Sequence, residues 1–294
     1  MAATLGSLVE GVLDQLYGHG AVQDATAYLA EPLSDTALTV VVEDAREASV
    51  SKGLVEIDSE LLRVKSVDLG SQTVTFAARG VRGSTAAAHA TGAEMRIAPV
   101  VPYHSVAREV NAEISSLFPF LCKVESTEFQ SSTTTVDHEI PADAEMVLDV
   151  RYKDQIGNWE RVRRWEPEES QNTDSFATGR SIRIWTPDLS TVRVVYGKRF
   201  GSLSAMTDTL ADTGVPESCE DIIRMGALLR LLPSLDLARY SVVSNQSADT
   251  TSKSPQPGTG VMVARDVKAN YRERREQEVG AFRTRFPVRQ HYTR

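Results

Sequence analysis

Five histidines, two cysteines and one tight group of glutamates are the residues of this 294-residue chain that could do chemistry by type. Zinc held by helix-spaced ligands needs two histidines about a turn apart, as in HExxH. His19, His89, His104, His138 and His291 are nowhere closer than the fifteen positions between His89 and His104. A zinc site from sequence-local ligands is therefore not expected. Cys122 and Cys219 lie far apart without a CxxC and read as packed thiols, not as a disulfide framework or a thiolate metal site. Glycoside hydrolysis requires only two carboxylates on facing strands. Glu166, Glu168 and Glu169, just after Trp165, come nearest to such a cluster and read as a solvated loop. There is no Walker loop and no GxSxG. The one glycine-rich stretch, Arg79-Gly80-Val81-Arg82-Gly83-Ser84, ends a strand without a following βαβ unit and reads as a tight loop. No catalytic, cofactor-binding or metal-ligating residue is expected, and the chain does not read as an enzyme.

The elements that must position these residues alternate between two periodicities. Leu5, Leu8, Val9, Val12, Leu13 and Leu16 form one stripe at the 3.6-residue period, so the chain opens with an amphipathic helix that Gly18 and Gly20 end. From Leu38 to Pro99 the period becomes two, with turns at Lys52-Gly53, Asp58-Ser59 and Asp68 to Ser71, as a meandering antiparallel sheet requires. A second helix follows Pro102 with Val106, Val110, Ile114, Leu117 and Phe118 on one face, and Pro119 ends it. A second β-rich stretch runs from about Lys123 to Phe200, with Trp159, Trp165 and Trp185 expected in its core or at its edge. A third helix opens at Pro216, carries Ile222, Met225, Leu229 and Leu232, and should end or kink at Pro233. Ser244 to Gly260 is rich in Ser, Thr, Pro and Gly and reads as a flexible linker. Val263, Val267, Tyr271, Val279, Phe282 and Phe286 then share one helical face until Pro287.

Short helices are not stable alone in water, and packing the three stripes together buries all of them at once. The expected fold class is thus α+β: a helical bundle (1–37, 100–121 and 201–244) with two inserted antiparallel β modules, each a small barrel or sandwich (38–99 and 122–200). A linker (245–260) and a basic C-terminal helical arm (261–294) complete the expected order.

Composition limits the partners. Hydrophobic content of 41% and charged content of 24% are near globular averages and argue against a disordered chain. No apolar run approaches the ~20 residues of a membrane-spanning helix, and acidic Glu10 and Asp14 interrupt the first stripe, so neither membrane insertion nor a signal peptide is expected. The net charge of −8 disfavours a general nucleic-acid binder. It is unevenly spread: nine basic against four acidic residues from Val261 to Arg294 give +5, leaving −13 on the rest. An acidic body with a basic tail suggests a tail made to meet an acidic partner. The expected docking residues are Arg265, Val267, Tyr271, Arg272, Arg275, Phe282, Arg283 and Phe286, apolar side chains interleaved with guanidinium groups. The plainer alternative is a solvated helix that closes the bundle.

Glu60-Leu61-Leu62-Arg63-Val64-Lys65-Ser66-Val67-Asp68, followed by Thr73-Val74-Thr75-Phe76-Ala77-Ala78-Arg79-Gly80-Val81-Arg82-Gly83-Ser84-Thr85-Ala86-Ala87-Ala88-His89, resembles a small β module recurrent in tailed-bacteriophage virion proteins. The order of elements is similar to the head-to-tail connector (adaptor) proteins of long-tailed phages, though the two β insertions make this chain larger than many of them. That resemblance implies a homo-oligomeric ring of about a dozen copies beneath a portal protein, contact with the next neck or tail protein, and DNA passing through the lumen without sequence-specific binding. It implies assembly in the host cytoplasm, location in the virion neck, and Val261 to Arg294 as the segment that docks on the portal or a neighbouring subunit. Two other assignments stay open: another neck or tail structural protein, such as a stopper or tail terminator, and a tail protein that grips or cuts a cell-surface glycan.

Overall fold

Where β-branched residues recur at period two, the chain forms strands, and among the described residues these outnumber the α-helices, thirteen to six. The computed structural model describes residues 3–17, 24–50, 53–131, 137–185, 190–245 and 259–287. The chain separates into two compact units: Met1–Glu113, Leu203–Leu210 and Glu220–Tyr271 form the first, and Ile114–Ser202, Ala211–Cys219 and Arg272–Arg294 the second.

The first unit opens with α1 (Leu5–Tyr17). Its start is fixed by a reciprocal cap: Thr4 N–H donates to Ser7 Oγ at 2.9 Å and Ser7 N–H to Thr4 Oγ1 at 3.2 Å. Leu5, Leu8, Val9, Val12 and Leu13 are buried, as the stripe requires. There follow β1 (Ala25–Tyr28), β2 (Thr39–Val41), the short α2 (Arg46–Val50), β3 (Leu54–Ile57), β4 (Glu60–Asp68), β5 (Thr73–Ala78) and β6 (Glu94–Ile97). The six strands pair antiparallel in the order β1-β6-β3-β4-β5-β2. The sheet curls until its edges meet at an antiparallel bridge between Leu29 and Val42. Ala27, Leu29, Val40, Val55, Ile57, Leu62, Val74, Phe76, Met95 and Ile97 fill its concave side. β1 lies in a segment expected to be helical or connecting, and its four residues are too few for a periodicity to show.

α3 (Tyr103–Ser116) is divided between the units, with Val106, Val110 and Ile114 buried along its stripe. The second unit then takes up β7 (Lys123–Gln130), β8 (Asp137–Glu139), β9 (Met146–Lys153), β10 (Trp159–Arg161), β11 (Trp165–Glu168), β12 (Ser181–Ile184) and β13 (Thr191–Lys198). They form a four-stranded sheet, β10-β9-β13-β7, and a three-stranded sheet, β11-β12-β8. Val150, Val192 and Val194 of one sheet join Ile182 and Ile184 of the other in a single apolar cluster, so the sheets share a core.

After α4 (Leu210–Thr213) comes α5 (Glu220–Asn245), a single helix that contains Pro233, the position of the expected end or kink before a further helical piece. Its buried face is Ile222, Ile223, Ala227, Leu228 and Leu231, offset from the expected Met225, Leu229 and Leu232. α6 (Thr259–Arg285) completes the described elements. The expected linker lies largely outside the described residues.

The expected fold class needs correction. Among the described residues the protein is a mixed helix-and-sheet chain, rich in β, whose largest sheet is the six-stranded half-barrel, and no helical bundle forms its core. Helices do touch, since α1 lies along α5, yet three short stripes supply little apolar area beside the Val-, Ile- and Leu-rich strands. The six-stranded sheet closes one core and the two sheets of the second unit close another between them, because β-branched and aromatic side chains pack best against neighbours on a pleated surface. Among the described residues no helix is long and apolar enough to cross a membrane.

Candidate functional site

Two places in the molecule concentrate polar or apolar groups beyond what a sheet needs. In the first unit, the β3–β4 hairpin turns at Asp58, whose φ of 54° is a left-handed value that aspartate tolerates. Glu60 follows and points inward, its side chain 1% exposed. Five donors converge on its carboxylate. Arg79 binds it bidentately, Nε to Oε1 at 2.9 Å and Nη2 to Oε2 at 2.6 Å. Gly80 N–H reaches Oε1 and Ala87 N–H reaches Oε2, both at 3.1 Å. His89 Nε2 lies 2.9 Å from Oε2, and its Nδ1 lies 2.7 Å from Oδ2 of Asp58.

The glycine-rich stretch is thus a loop laced to one buried carboxylate. Gly80 has φ of 58°, and a Cβ there would stand 2.9 Å from the Ser84 carbonyl oxygen, so conformation and space both call for glycine. Ser84 Oγ accepts from Leu61 N–H at 2.9 Å and fastens the loop to β4 a second time. Burial pushes the Glu60 carboxyl up, but the bonds from Arg79, His89 and Ala87 outweigh it and hold the group down at about 2. Burial pulls His89 down, and its bonds to Asp58 and Glu60 overcome that to raise it above its ordinary value. Both shifts favour the charged forms. A second buried centre lies nearby: Glu56 accepts from Arg96 Nη1 at 2.7 Å and from the first N–H groups of α3, Tyr103 at 2.8 Å and His104 at 2.9 Å. Burial raises the Glu56 carboxyl, against the pull of those bonds. Arg96 also pairs with Asp24 and lies 4.0 Å over the Tyr103 ring. These centres hold geometry; the carboxylates spend their lone pairs on the protein's own donors.

The other place is an apolar groove of about 410 Å³ in the second unit. The loop after α3 gives Pro119 and Phe120, the start of β9 gives Met146, Val147 and Leu148, β11 gives Trp165, and the end of α6 gives Phe282, Arg283, Phe286 and Pro287. Phe282 and Phe286, one turn apart, meet with ring centres 5.3 Å apart and planes tilted by 42°. Arg283 and Arg285 are exposed at the same end of the helix.

The structure brings three of the eight expected docking residues, Phe282, Arg283 and Phe286, together at this groove. Arg265 and Arg272 are exposed on α6 and Val267 is half-buried. Tyr271 and Arg275 are engaged within the chain: Tyr271 Oη donates to Glu113 Oε1 at 2.6 Å, and the Arg275 guanidinium lies 4.6 Å from the Phe120 ring centre. Sequence reading missed Phe120, Met146 and Leu148, because the groove joins segments far apart in the chain and none has a local signal. Trp165 lines it, while the Trp159 and Trp185 rings carry the guanidinium groups of Arg193 and Arg164 at 4.0 and 4.2 Å.

The remaining reactive types are accounted for where described. Cys122 and Cys219 are buried free thiols, and burial pushes Cys122 up to about 11. His138 stacks on Phe129 at 4.2 Å. Burial and Arg108 lower His104. Glu166, Glu168 and Glu169 are exposed. His19 and His291 lie outside the described residues. Among the described residues no group of three or more His, Cys, Asp or Glu is arranged to hold a metal ion. Set against known proteins, the chain matches no family model and no curated protein.

Proposed function

We propose that this chain is a structural virion protein of a tailed phage, a head-to-tail adaptor that forms a ring between portal and tail and leaves a channel for DNA. One observation carries the reading. The stretch that resembles phage virion modules, Glu60–Asp68 with Thr73–His89, includes Glu60, Arg79, Gly80, Ser84 and His89, which lace the loop to β4. The likeness therefore falls on a segment in which several residues depend on one another physically.

The charge distribution supports the same reading. An acidic body bordering a channel repels the DNA phosphates and lets the duplex slide, and exposed Arg265, Arg272 and Arg283 on α6 are free to meet an acidic neighbour.

Copy number in purified virions tests the assignment. An adaptor gives about twelve copies per particle, a later ring such as a stopper or terminator about six. Absence of the chain from virions overturns the reading. Removing residues 261–294 should also abolish attachment to the portal, and unchanged attachment would contradict the docking role.

A further inference from the structure

Turn tips are ordinarily polar, and the β9–β10 hairpin departs from that. Its turn is tightly built: Asp154 Oδ1 accepts from Ile156 N–H at 2.9 Å and Asn158 N–H at 2.7 Å, Asp154 N–H donates to the Asn158 carbonyl at 2.9 Å, and Gly157 takes φ of 98°. This ordered scaffold presents Ile156 with 88% of its surface exposed, the most exposed of the large apolar residues described. A β-branched aliphatic gains nothing from water there.

An apolar plug of this kind has a matching socket at the other end of the same strand. The start of β9, Met146 to Leu148, forms one wall of the groove. At ~3.3 Å per residue, Ile156 stands roughly 20 Å from that wall, so a copy cannot fill its own groove with its own plug. The carboxylates of Asp154 and Glu160 flank the plug, with Lys153 the turn's single cation. Arg283 and Arg285 beside the groove have no partner among the described residues.

We infer that Ile156 of one copy seats in the groove of the next, against Leu148, Trp165, Phe282 and Phe286, with Asp154 and Glu160 set toward Arg283 and Arg285. Plug and socket are different surfaces, so the contact is heterologous and repeats head to tail; such contacts close into a ring or run on as a filament according to the rotation between copies. The inference deepens the adaptor reading and rests on it only for closure.

Sedimentation of the full-length chain over a range of concentrations tests it. The wild type should self-associate. Ile156→Asp should raise the dissociation constant about tenfold or more while leaving the fold intact, since the side chain touches solvent, and Ile156→Leu should associate as the wild type does. Mixing Ile156→Cys chains with Arg283→Cys chains under mild oxidation should give a cross-linked pair, because both native thiols are buried. An Ile156→Asp chain that assembles like the wild type overturns the plug and leaves the ring reading standing. A wild type that stays monomeric, with no cross-link between the two cysteine variants, overturns the inference as well, with virion copy number still deciding the adaptor reading. Open polymers sensitive to Ile156→Asp would uphold the contact and sink the ring.

Discussion

The two β units use charge in opposite ways. The six-stranded half-barrel encloses it: Glu56, Glu60, Arg79, Arg96 and His89 are all nearly inaccessible and all paired. The paired sheets of the second unit wear charge outside, in ion pairs such as Arg183–Asp137 and Arg193–Glu128, and in guanidinium groups laid over tryptophan. A buried ion pair adds little net stability against an apolar core of the same shape, but losing one partner is severe because the other charge stays stranded. An exposed pair is nearly dispensable. The first unit thus fixes a single loop geometry, whereas the second keeps its surface available for contact.

Substitutions in the two units should separate this contrast in graded steps. Glu60→Ala strands Arg79 and His89 and should destabilise the first unit by about 3–5 kcal/mol, read as an earlier urea transition of the full chain. A loss below about 1 kcal/mol would mean that the network behaves like a surface pair. Glu56→Gln keeps the shape but removes the charge facing Arg96 and the start of α3, and should cost about 2 kcal/mol in the same measurement.

A pH series sharpens the comparison further. His89 is raised above 6.5 in the folded chain, so its contribution is complete below pH 6.5 and fades as pH climbs through the folded value. Glu60 is depressed to about 2 from 4.5, so its contribution is complete above pH 4.5 and fades as pH falls toward 2. The penalty of His89→Gln should therefore be greatest between about 4.5 and 6.5 and shrink on the alkaline side; a penalty that stays level as pH climbs well above that range would remove the charged histidine from the account. The smallest effect belongs to the second unit: Arg183→Ala should leave the urea transition almost where it stands, and a clear shift to lower urea would erase the distinction between the units.

Much of this was readable before any coordinates. The α1 stripe, the turns at Asp58-Ser59 and Asp68 to Ser71, and both β-rich stretches follow from periodicity and turn chemistry, which are local. Burial of the two cysteines was also legible. The bundle was not there to be read: three apolar stripes show only that each helix has a face to cover, and sequence does not say whether a helix or a sheet covers it. His89 and Glu60 carry no mutual signal at a separation of 29 positions. The groove was invisible for the same reason, since Phe120, Leu148, Trp165 and Phe282 converge only after two sheets and a helix end have formed.

Gold-labelled antibody raised against the β7–β13 region and applied to intact virions addresses the proposed role most directly. Label at the junction of head and tail is the result anticipated for a ring-forming connector. Particles that carry label only at the tail tip, or none at all, would contradict it.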